Sequence, residues 1–329
     1  MPLDWTPFVE LVENHQRFLI MTHVRPDGDA LGSELGLAGA IRQRGKSVRV
    51  VIASNLPPRY RFLDPDGTRI ERYAPPGDTF RDIDAVIVVD TGTWNQIGDF
   101  AEFLKAFPGP RMVIDHHRTQ DDLGGIHLVD TTAEAAGRLV YEAGQALGAT
   151  LTAEMADAIF LAIATDTGWF RHSNTRPETF ALAETLTRAG ANPNALYDRL
   201  YEQNPLGKLR LAGRALERLR TDFNGHAAYT EIYLTDYDDT GSSPPDTEDL
   251  INYPRCVEGV EVALLLIEQQ GGAVKVSFRS RSLIDVDKVA ERFGGGGHRL
   301  ASGATISGSM NIVRGQVLEA VRQALSQRG

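Results

Sequence analysis

Short apolar runs alternate with longer amphipathic segments through the first half of the chain. The runs predict strands, and the segments, whose apolar positions recur every three to four residues, predict helices. Such alternation is typical of a parallel sheet with helices on both faces. We therefore predict an α/β fold for this half, with strands at residues 18–22, 48–53, 85–89 and 112–114 and helices at residues 31–44 and 152–165.

Strand-like runs dominate the chain from about residue 222 onward. Residues 227–234, 262–268 and 273–279 predict strands, and residues 286–293 predict a helix. This change predicts a second, smaller α/β domain at the C-terminal end. We place the N-terminal domain at residues 1–205, a helical linker at 206–221 and the C-terminal domain at 222–329.

Composition narrows the class of protein and the kind of metal site. Hydrophobic residues make up 42% of the 329 residues and charged residues 24%, which are ordinary values for a globular protein. No apolar run reaches the roughly 20 residues that span a bilayer, so we expect a cytoplasmic protein without a membrane partner. The single cysteine, Cys256, has no partner for a disulfide or a thiolate metal cage. Any metal would be held by histidine and carboxylate.

The distribution of charge limits the substrates. A net charge of −10 argues against a protein that coats long nucleic acid, because such affinity comes from many Lys and Arg contacts to phosphates. Residues 273–299 nevertheless hold six basic side chains against three acidic ones. This local excess favours short RNA oligonucleotides or small nucleotides as partners. The sequence leaves a homodimer open.

Potential metal ligands follow directly on three of the predicted strands. His23 follows the first strand, Asp90 follows the strand at 85–89, and the triplet Asp115-His116-His117 follows the strand at 112–114. Carboxyl ends of parallel strands meet at one edge of a sheet, so we expect these side chains to converge. Asp166, directly after the helix at 152–165, is placed to complete the cluster.

The loop from His23 to Asp29 holds two further carboxylates, Asp27 and Asp29, on either side of Gly28. We expect Gly28 to permit a sharp turn, so that the carboxylates face two cations. Two metals about 3.5–4 Å apart that share a hydroxide favour phosphoester displacement. Histidine with carboxylate suits Mn²⁺, with Mg²⁺, Co²⁺ or Fe²⁺ as alternatives. Asp27 and Asp90 are equally residue types that cap helices or form turns, and paired histidines are often not ligands.

Taken together, these motifs resemble the DHH phosphoesterase superfamily, named for the triplet found here at Asp115. The order His23-x-x-x-Asp27-x-Asp29, Asp90, the triplet and Asp166 is the order of its motifs. The glycine run 294–297 with His298, preceded by Arg279 and followed by Ser302, is similar to the signature of the DHH-associated C-terminal domain. Within the superfamily, this pair of domains resembles the bacterial bifunctional nanoRNase/pAp phosphatases.

The resemblance implies a role for each residue. One cation would be held by His23, Asp27 and Asp90, and the other by Asp29, Asp90, His116 and Asp166, with Asp90 shared. His117 would hydrogen-bond the scissile phosphate, and Asp115 would orient the neighbouring imidazole. The implied substrate-binding residues are Arg279, Gly295, Gly296, Gly297, His298 and Ser302. By itself, the glycine run also fits a helix C-cap and a flexible turn.

The implied activity is metal-dependent hydrolysis of short oligoribonucleotides to nucleoside 5′-monophosphates, and of 3′-phosphoadenosine 5′-phosphate to AMP. An alternative enzyme is a phosphodiesterase of linear or cyclic dinucleotides such as pApA or cyclic-di-AMP. An alternative of another class is a nucleotide sensor without turnover. Gln96, where many relatives have arginine, and residues 132–138, which lack a Ser/Thr-rich signature, leave the substrate preference open.

Overall fold

The computed structural model describes residues 3–75 and 80–326 of the chain. The chain divides into two compact units, Met1–Gln203 and Asn204–Gly329. Within the described residues, no helix combines the length and the hydropathy that crossing a bilayer requires.

The described part of the first unit contains a six-stranded parallel sheet. Its strands are β1 (Arg17–Met21), β2 (Ser47–Ile52), β3 (Ile70–Arg72), β4 (Ala85–Val89), β5 (Arg111–Asp115) and β6 (Ile126–Val129). They lie in the order β3-β2-β1-β4-β5-β6. The chain order reverses between β1 and β4, and the carboxyl ends of strands beside such a reversal are where open α/β sheets form their sites.

Helices cover both faces of this sheet. They are α1 (Thr6–Asn14), α2 (Gly28–Gln43), α3 (Trp94–Ile97), α4 (Phe100–Ala106), α5 (Ala136–Ala146), α6 (Ala153–Asp166), α7 (Pro177–Arg188) and α8 (Pro193–Tyr197). Successive side chains of a strand point to opposite faces. Phe18 and Ile20 of β1 accordingly belong to the core that includes α2, α5 and α6, whereas Leu19 and Met21 pack in a separate core with Phe100 of α4. The predicted fold of this half is confirmed.

Helices α2 and α6 run antiparallel and in close contact. The α-carbon of Gly28, at the start of α2, faces Thr165 near the end of α6, while that of Gly39 faces Met155 near the start of α6. Nearly every residue of α2 from Gly28 to Ile41 is buried. The two helices therefore extend side by side from the loop that follows β1, where α2 begins and α6 ends, to the other end of the pair near Gly39 and Met155.

The described part of the second unit contains a mixed six-stranded sheet. Its strands are β7 (Arg220–Asp222), β8 (Ala227–Ile232), β9 (Val262–Gln269), β10 (Ala273–Ser280), β11 (Gly296–His298) and β12 (Ala301–Ser307), in the order β11-β12-β10-β9-β8-β7. Strands β8 and β9 are parallel, and the other neighbours are antiparallel. The helices of this unit are α9 (Leu206–Glu217), α10 (Leu234–Thr240), α11 (Asn252–Arg255), α12 (Val286–Glu291) and α13 (Met310–Ser326).

The helix predicted as a linker is α9, and it contributes to the core of the second unit. Leu211 and Ala215 are fully buried there and pack with Ala228 and Ile232 of β8. Some elements have no counterpart among the predicted ones, notably α1, β6 and α5. Leu139, Val140 and Ala143 of α5 are buried at helical spacing, so the sequence carries the period of this helix although the prediction does not include it.

Candidate metal centre

Asp90 lies between two imidazole rings at the carboxyl edge of the parallel sheet. Its Oδ2 is 3.5 Å from Nε2 of His23, and its Oδ1 is 3.4 Å from Nε2 of His116. His23 follows β1 closely, Asp90 follows β4, and His116 follows β5. The neighbouring order of these strands brings the three residues together, as the pattern of strand ends predicts.

The backbone at Asp90 has a conformation that L residues adopt infrequently. Its φ is +59°, and its N–H donates to the carbonyl of Ile114 at 3.1 Å. Non-glycine residues in this region of φ cost free energy and concentrate at functional sites. The Asp90 side chain is almost completely buried, and its Oδ1 has no hydrogen-bond partner among the described residues. A buried, unpaired carboxylate oxygen is a suitable cation ligand.

Backbone carbonyls orient both imidazoles. Nδ1 of His23 lies 3.0 Å from the carbonyl oxygen of Val24, and Nδ1 of His116 lies 3.2 Å from that of Ala133. Each contact assigns the N–H to Nδ1 in the neutral ring. The lone pair of Nε2 then faces the carboxylates, which is the usual arrangement of a metal-binding histidine.

Asp27 and Asp29 both bind helix N-termini. Oδ1 of Asp27 accepts from the N–H groups of Asp29 and Ala30, so Asp27 caps α2 and also lies 4.0 Å from Nε2 of His23. Asp29 accepts from the N–H groups of Ala136 at 2.7 Å and Gly137 at 3.0 Å, at the start of α5. Its Oδ2 is 3.5 Å from Nε2 of His116.

Gly28 has a different role from the predicted sharp turn. It is the first residue of α2, and it is not among the described residues with positive φ. A Cβ at this position would lie 2.5 Å from Oγ1 of Thr165. The expectation of a turn was wrong: the glycine allows close approach of α2 and α6.

Asp166 ends α6 and approaches the cluster from the helical layer. The side-chain amide of Asn174 donates weakly to its Oδ2 at 3.4 Å and to the carbonyl of Glu134 at 3.1 Å. Asp166 is half-buried. Asn174 thus connects the end of α6 with the segment before α5.

The three side chains of the triplet Asp115-His116-His117 lie in different environments. Asp115 is fully buried, and its Oδ1 lies 2.8 Å from Nδ1 of His117 and accepts the backbone N–H of His116 at 2.8 Å. The amide of Gln120 donates to the other oxygen. His117 remains 45% exposed, and its Nδ1 is 3.8 Å from Oδ1 of Asp90. The buried carboxylate therefore holds one ring nitrogen of His117 while the ring stays accessible.

Among the residues that the structure describes, three groups of side chains have ligand atoms within 4.8 Å of one another. They are His23 with Asp27 and Asp90, Asp90 with His116 and His117, and Asp29 with His116 and Asp166. Two of the groups share Asp90, and two share His116. Oxygen and imidazole donors in overlapping groups fit divalent cations of the Mn²⁺ and Mg²⁺ type.

The proton affinities show how strongly these charges interact. Burial lowers the pKa of His23, but the hydrogen bond and charge of Asp90 outweigh it and raise the value to about 9. Burial also lowers the pKa of His116, but the neighbouring carboxylates of Asp90 and Asp29 outweigh it and raise the value to about 10. Burial raises the pKa of Asp90, but both histidines lower it to about 2. Burial raises the pKa of Asp166 to about 6. Without metal, protons on the rings offset the carboxylate charge.

Glu34 is a buried acid that the motifs do not include. It lies on α2 and is fully buried, and neither carboxylate oxygen has a hydrogen-bond partner among the described residues. Burial, followed by the charge of Asp90, raises its pKa well above the usual value. The sequence could have indicated that Glu34 is buried, because at helical spacing it lies on the same face of α2 as the apolar residues Leu31, Ala38 and Ile41.

Gln96 makes its contacts just outside the cluster of histidine and carboxylate side chains. The carbonyl of Gln96 accepts the N–H of Val24 at 2.7 Å, and its Oε1 accepts from Oγ1 of Thr91 at 2.8 Å. Val24 in turn faces Nδ1 of His23. Gln96, at the position where many relatives have arginine, therefore connects the segment after Asp90 to the segment after β1 through hydrogen bonds.

In the second unit, the sheet register separates the predicted substrate-binding residues. His298, Ala301 and Arg279 form one row across β11, β12 and β10, so the side chains of His298 and Arg279 share a face. Ser302 belongs to the next row and points to the other face, where its buried hydroxyl donates to the carbonyl of Val286 at 2.6 Å. The structure brings Arg279 and His298 to one face and does not bring Ser302 to it.

The glycines that precede His298 have local structural roles. Gly294, with φ of +72°, follows α12, and its N–H donates to the carbonyl of Glu291. A Cβ on Gly295 would lie 2.2 Å from the carbonyl oxygen of Gly303. Gly296 and Gly297 pair with Gly303 and Ser302 of β12. The run ends a helix and lets β11 approach β12, while its exposed backbone lies in the same strand as His298.

Comparison with known proteins finds matches over both units of the chain. Residues 17–163 match the DHH family, N-terminal domain, and residues 224–328 match the DHHA1 domain. The chain is 35% identical over 312 residues to a Thermus thermophilus protein named bifunctional oligoribonuclease and PAP phosphatase NrnA, covering 94% of this chain and 90% of that relative.

Solved structures show the same fold. An exopolyphosphatase-related protein from Bacteroides fragilis superposes with a TM-score of 0.89 at 24% identity, over 98% of this chain and 95% of that one. An exonuclease RecJ bound to manganese superposes with a TM-score of 0.56 at 16% identity, over 98% and 96%.

The fold, the cluster and these matches define a phosphoesterase, a hydrolase that acts on phosphoester bonds. The chain belongs to the DHH family and carries a DHHA1 domain in its second unit.

Proposed function

We propose that this enzyme hydrolyses short oligoribonucleotides to nucleoside 5′-monophosphates and also converts 3′-phosphoadenosine 5′-phosphate to AMP. The observation that carries the proposal is the position of Asp90, with one oxygen toward His23 and the other toward His116. A carboxylate so placed suits two cations that act on one phosphate. The name of the Thermus thermophilus relative supports the choice of substrates.

The proposed cation ligands fall into two sets that share Asp90. One set is His23, Asp27 and Asp90, and the other is Asp29, Asp90, His116 and Asp166. The first set and three members of the second, Asp29, His116 and Asp166, form groups of neighbouring donor atoms, which supports this division. Manganese is the proposed metal, because imidazole and carboxylate suit it and because the RecJ structure of the same fold binds manganese. When bound, such cations would neutralise phosphate charge and lower the pKa of water.

His117 is the proposed donor to the scissile phosphate. Its Nδ1 is held by the buried Asp115 at 2.8 Å, so Nε2 is the ring atom that remains for a substrate oxygen. The hydrogen bond to Asp115 raises the pKa of His117, which keeps a proton on Nε2 across a wider range of pH. A donor positioned in advance stabilises charge that develops in the transition state.

The second unit provides a proposed phosphate site on its exposed edge. Arg279 and His298 lie on one face of the sheet, separated by Ala301. Burial, followed by the charge of Arg255, lowers the pKa of Arg279, so two guanidinium groups influence each other here. Such a pair favours an anion between or beside them. Ser302, whose hydroxyl is bound to Val286, contributes through its backbone position in β12.

A substrate panel tests the proposal. The isolated protein with Mn²⁺, Mg²⁺, Co²⁺ or Fe²⁺ would be given RNA of two to five and of 24 nucleotides, 3′-phosphoadenosine 5′-phosphate, pApA and cyclic-di-AMP. We expect the highest kcat/KM on the shortest RNA, with release of nucleoside 5′-monophosphates, and no turnover in EDTA. Efficiency that rises with RNA length and falls steeply with salt would favour an exonuclease for long strands.

Two further outcomes separate the alternatives. Preference for pApA or cyclic-di-AMP over longer RNA would assign a dinucleotide phosphodiesterase instead. Binding of these compounds without turnover in any metal would assign a sensor. The cytoplasmic location and the oligomeric state stay predictions from the sequence.

A further inference from the structure

A cavity of about 790 Å³ lies in the first unit at the far end of α2 and α6 from the metal cluster. Its walls include Leu35 and Arg42 of α2 and Met155 and Asp157 of α6. From Met155 to Asp166 the helix rises about 16 Å at roughly 1.5 Å per residue. The cavity is therefore separate from the proposed catalytic residues, although the same two helices carry both.

Three arginines line this cavity, and they differ in their partners. Arg69 is paired with Glu154 at 2.7 Å. Arg42 donates to the backbone carbonyl of Val48 at 2.9 Å, and the guanidinium of Arg199 lies 5.7 Å from the centre of the Phe62 ring. Neither Arg42 nor Arg199 has a carboxylate within ion-pair distance in residues 3–75 and 80–326. Two such cations at one cavity, on a chain with net charge −10, indicate an anionic ligand.

The rest of the wall combines apolar side chains with the polar Gln43, Thr152 and Asn192 and with two acids, Glu154, which pairs with Arg69, and the half-buried Asp157. The apolar part of the wall includes the aromatic ring of Phe62 together with Leu35, Leu63, Met155 and Leu196. Asp157 uses Oδ1 to accept the N–H of Asn192 at 2.7 Å, and Oδ2 has no hydrogen-bond partner among the described residues. A ligand that satisfies all these groups has a planar apolar part, a hydroxyl or amine that donates, and a strongly anionic end.

We propose that this cavity binds a nucleoside monophosphate. The phosphate contacts Arg42 and Arg199, the base packs against Phe62, and a ribose hydroxyl or exocyclic amine donates to Asp157. The cavity volume lies within the roughly 300–1,000 Å³ of small-molecule sites. The proposal goes beyond the function proposed above and does not depend on turnover, although the products of that reaction belong to the same chemical class.

The test is calorimetric titration of AMP into the full chain in EDTA, which removes any metal contribution. Adenosine and inorganic phosphate are titrated in parallel. We expect saturable binding of one AMP, tighter than either fragment. Arg199→Ala should weaken AMP binding about tenfold, as expected for a lost charged hydrogen bond. Arg210→Ala, which removes an exposed arginine of α9 in the second unit, should leave the affinity unchanged.

A second variant acts through volume instead of charge. Ala195 lines the cavity and is half-buried on α8, so Ala195→Trp should fill the space and abolish AMP binding. Circular dichroism, and hydrolysis of short RNA at the wild-type rate, would show that each variant is folded. No binding of AMP at millimolar concentration overturns the proposal. So does AMP binding that survives both Arg199→Ala and Ala195→Trp but is lost in Arg279→Ala, because it would assign the nucleotide to the second unit.

Discussion

The buried carboxylate of Asp115 lies 2.8 Å from Nδ1 of His117, whose ring is 45% exposed. The same oxygen accepts the backbone N–H of His116. One buried acid thereby contacts two consecutive histidines: it orients the accessible ring of His117 through Nδ1 and binds the backbone of His116, whose ring is directed toward Asp29 and Asp90.

Replacing Asp115 by Asn should impair the step in which His117 donates a proton or hydrogen bond. The hydrogen bond from His117 to Asp115 raises the pKa of the ring, so the Asn variant should have a lower value. We expect kcat to fall about 10²-fold and the alkaline limb of the pH–rate profile to move to lower pH. Metal content, measured by atomic emission, should not change.

His117→Ala is the matched variant. It should keep its metals and lose the alkaline limb altogether. Loss of metal in this variant would place His117 among the ligands and contradict its proposed role.

Asp90→Ala should reduce turnover by at least about 10³-fold. Removing the carboxylate between His23 and His116 leaves two cations without the anion that they share. Rates and metal content would be measured together, with Asp66→Ala, an exposed loop position, as control. Near wild-type turnover with full metal content would exclude a shared role for Asp90.

Metal affinity should rise steeply with pH. The pKa values of His23 and His116 without metal, about 9 and about 10, mean that both rings are protonated at neutral pH and must lose their protons to bind a cation. Competition with a chelator should give a slope of log affinity against pH that approaches two between about pH 6.5 and 8.5. An affinity independent of pH would contradict imidazole ligation.

The stability of the metal-free protein, unlike its metal affinity, should fall as the pH rises. A histidine whose pKa is higher in the folded than in the unfolded protein stabilises the folded state. This stabilisation is complete below the pKa of the unfolded protein, about 6.5, and is lost as the pH rises through the pKa of the folded protein. For His23 and His116 the loss occurs between about pH 6.5 and 10. The melting temperature in EDTA should fall over this range, and Mn²⁺ should restore it.

Glu34→Gln should stabilise the metal-free protein at pH 8 by on the order of 1 kcal/mol. Burial raises the pKa of Glu34, so the wild-type protein loses stability as pH rises above the unfolded value of about 4.5. Gln stays neutral and avoids this loss. Urea denaturation at pH 4 and pH 8 should show a difference between the two proteins only at pH 8. An equal difference at both pH values would exclude titration of Glu34 as the cause.

Arg279→Ala should raise KM for short RNA about tenfold with a smaller change in kcat, because the proposed contact binds substrate and transition state alike. Lys275→Ala removes an exposed charge from the same strand, four residues away, and should change KM less than about twofold. Steady-state kinetics on a dinucleotide would measure both. An equal effect of both variants would indicate a general influence of charge.

Much of the cluster of histidine and carboxylate side chains could be predicted from the sequence, because the ends of the strands determine where these residues lie. In a parallel sheet, residues that directly follow neighbouring strands lie at one edge wherever they fall in the chain. His23, Asp90 and His116 are spread over more than 90 residues and lie within 3.5 Å of one another in pairs. The apolar runs likewise determined the central strands and the change of architecture between the two units.

Other features depend on contacts that no local pattern records. The use of Asp29 to bind the start of α5 joins residues 107 positions apart. The need for glycine at position 28 comes from Thr165, and the inward direction of Ser302 comes from the register of β12 with β10 and β11. By itself, the sequence determined which residues directly follow each strand. In a parallel sheet this is enough to place them at one edge, because the strands end there. Only the tertiary structure decided which side chains are buried without partners, such as Glu34, and which helices enclose a cavity, because both depend on close packing between distant segments.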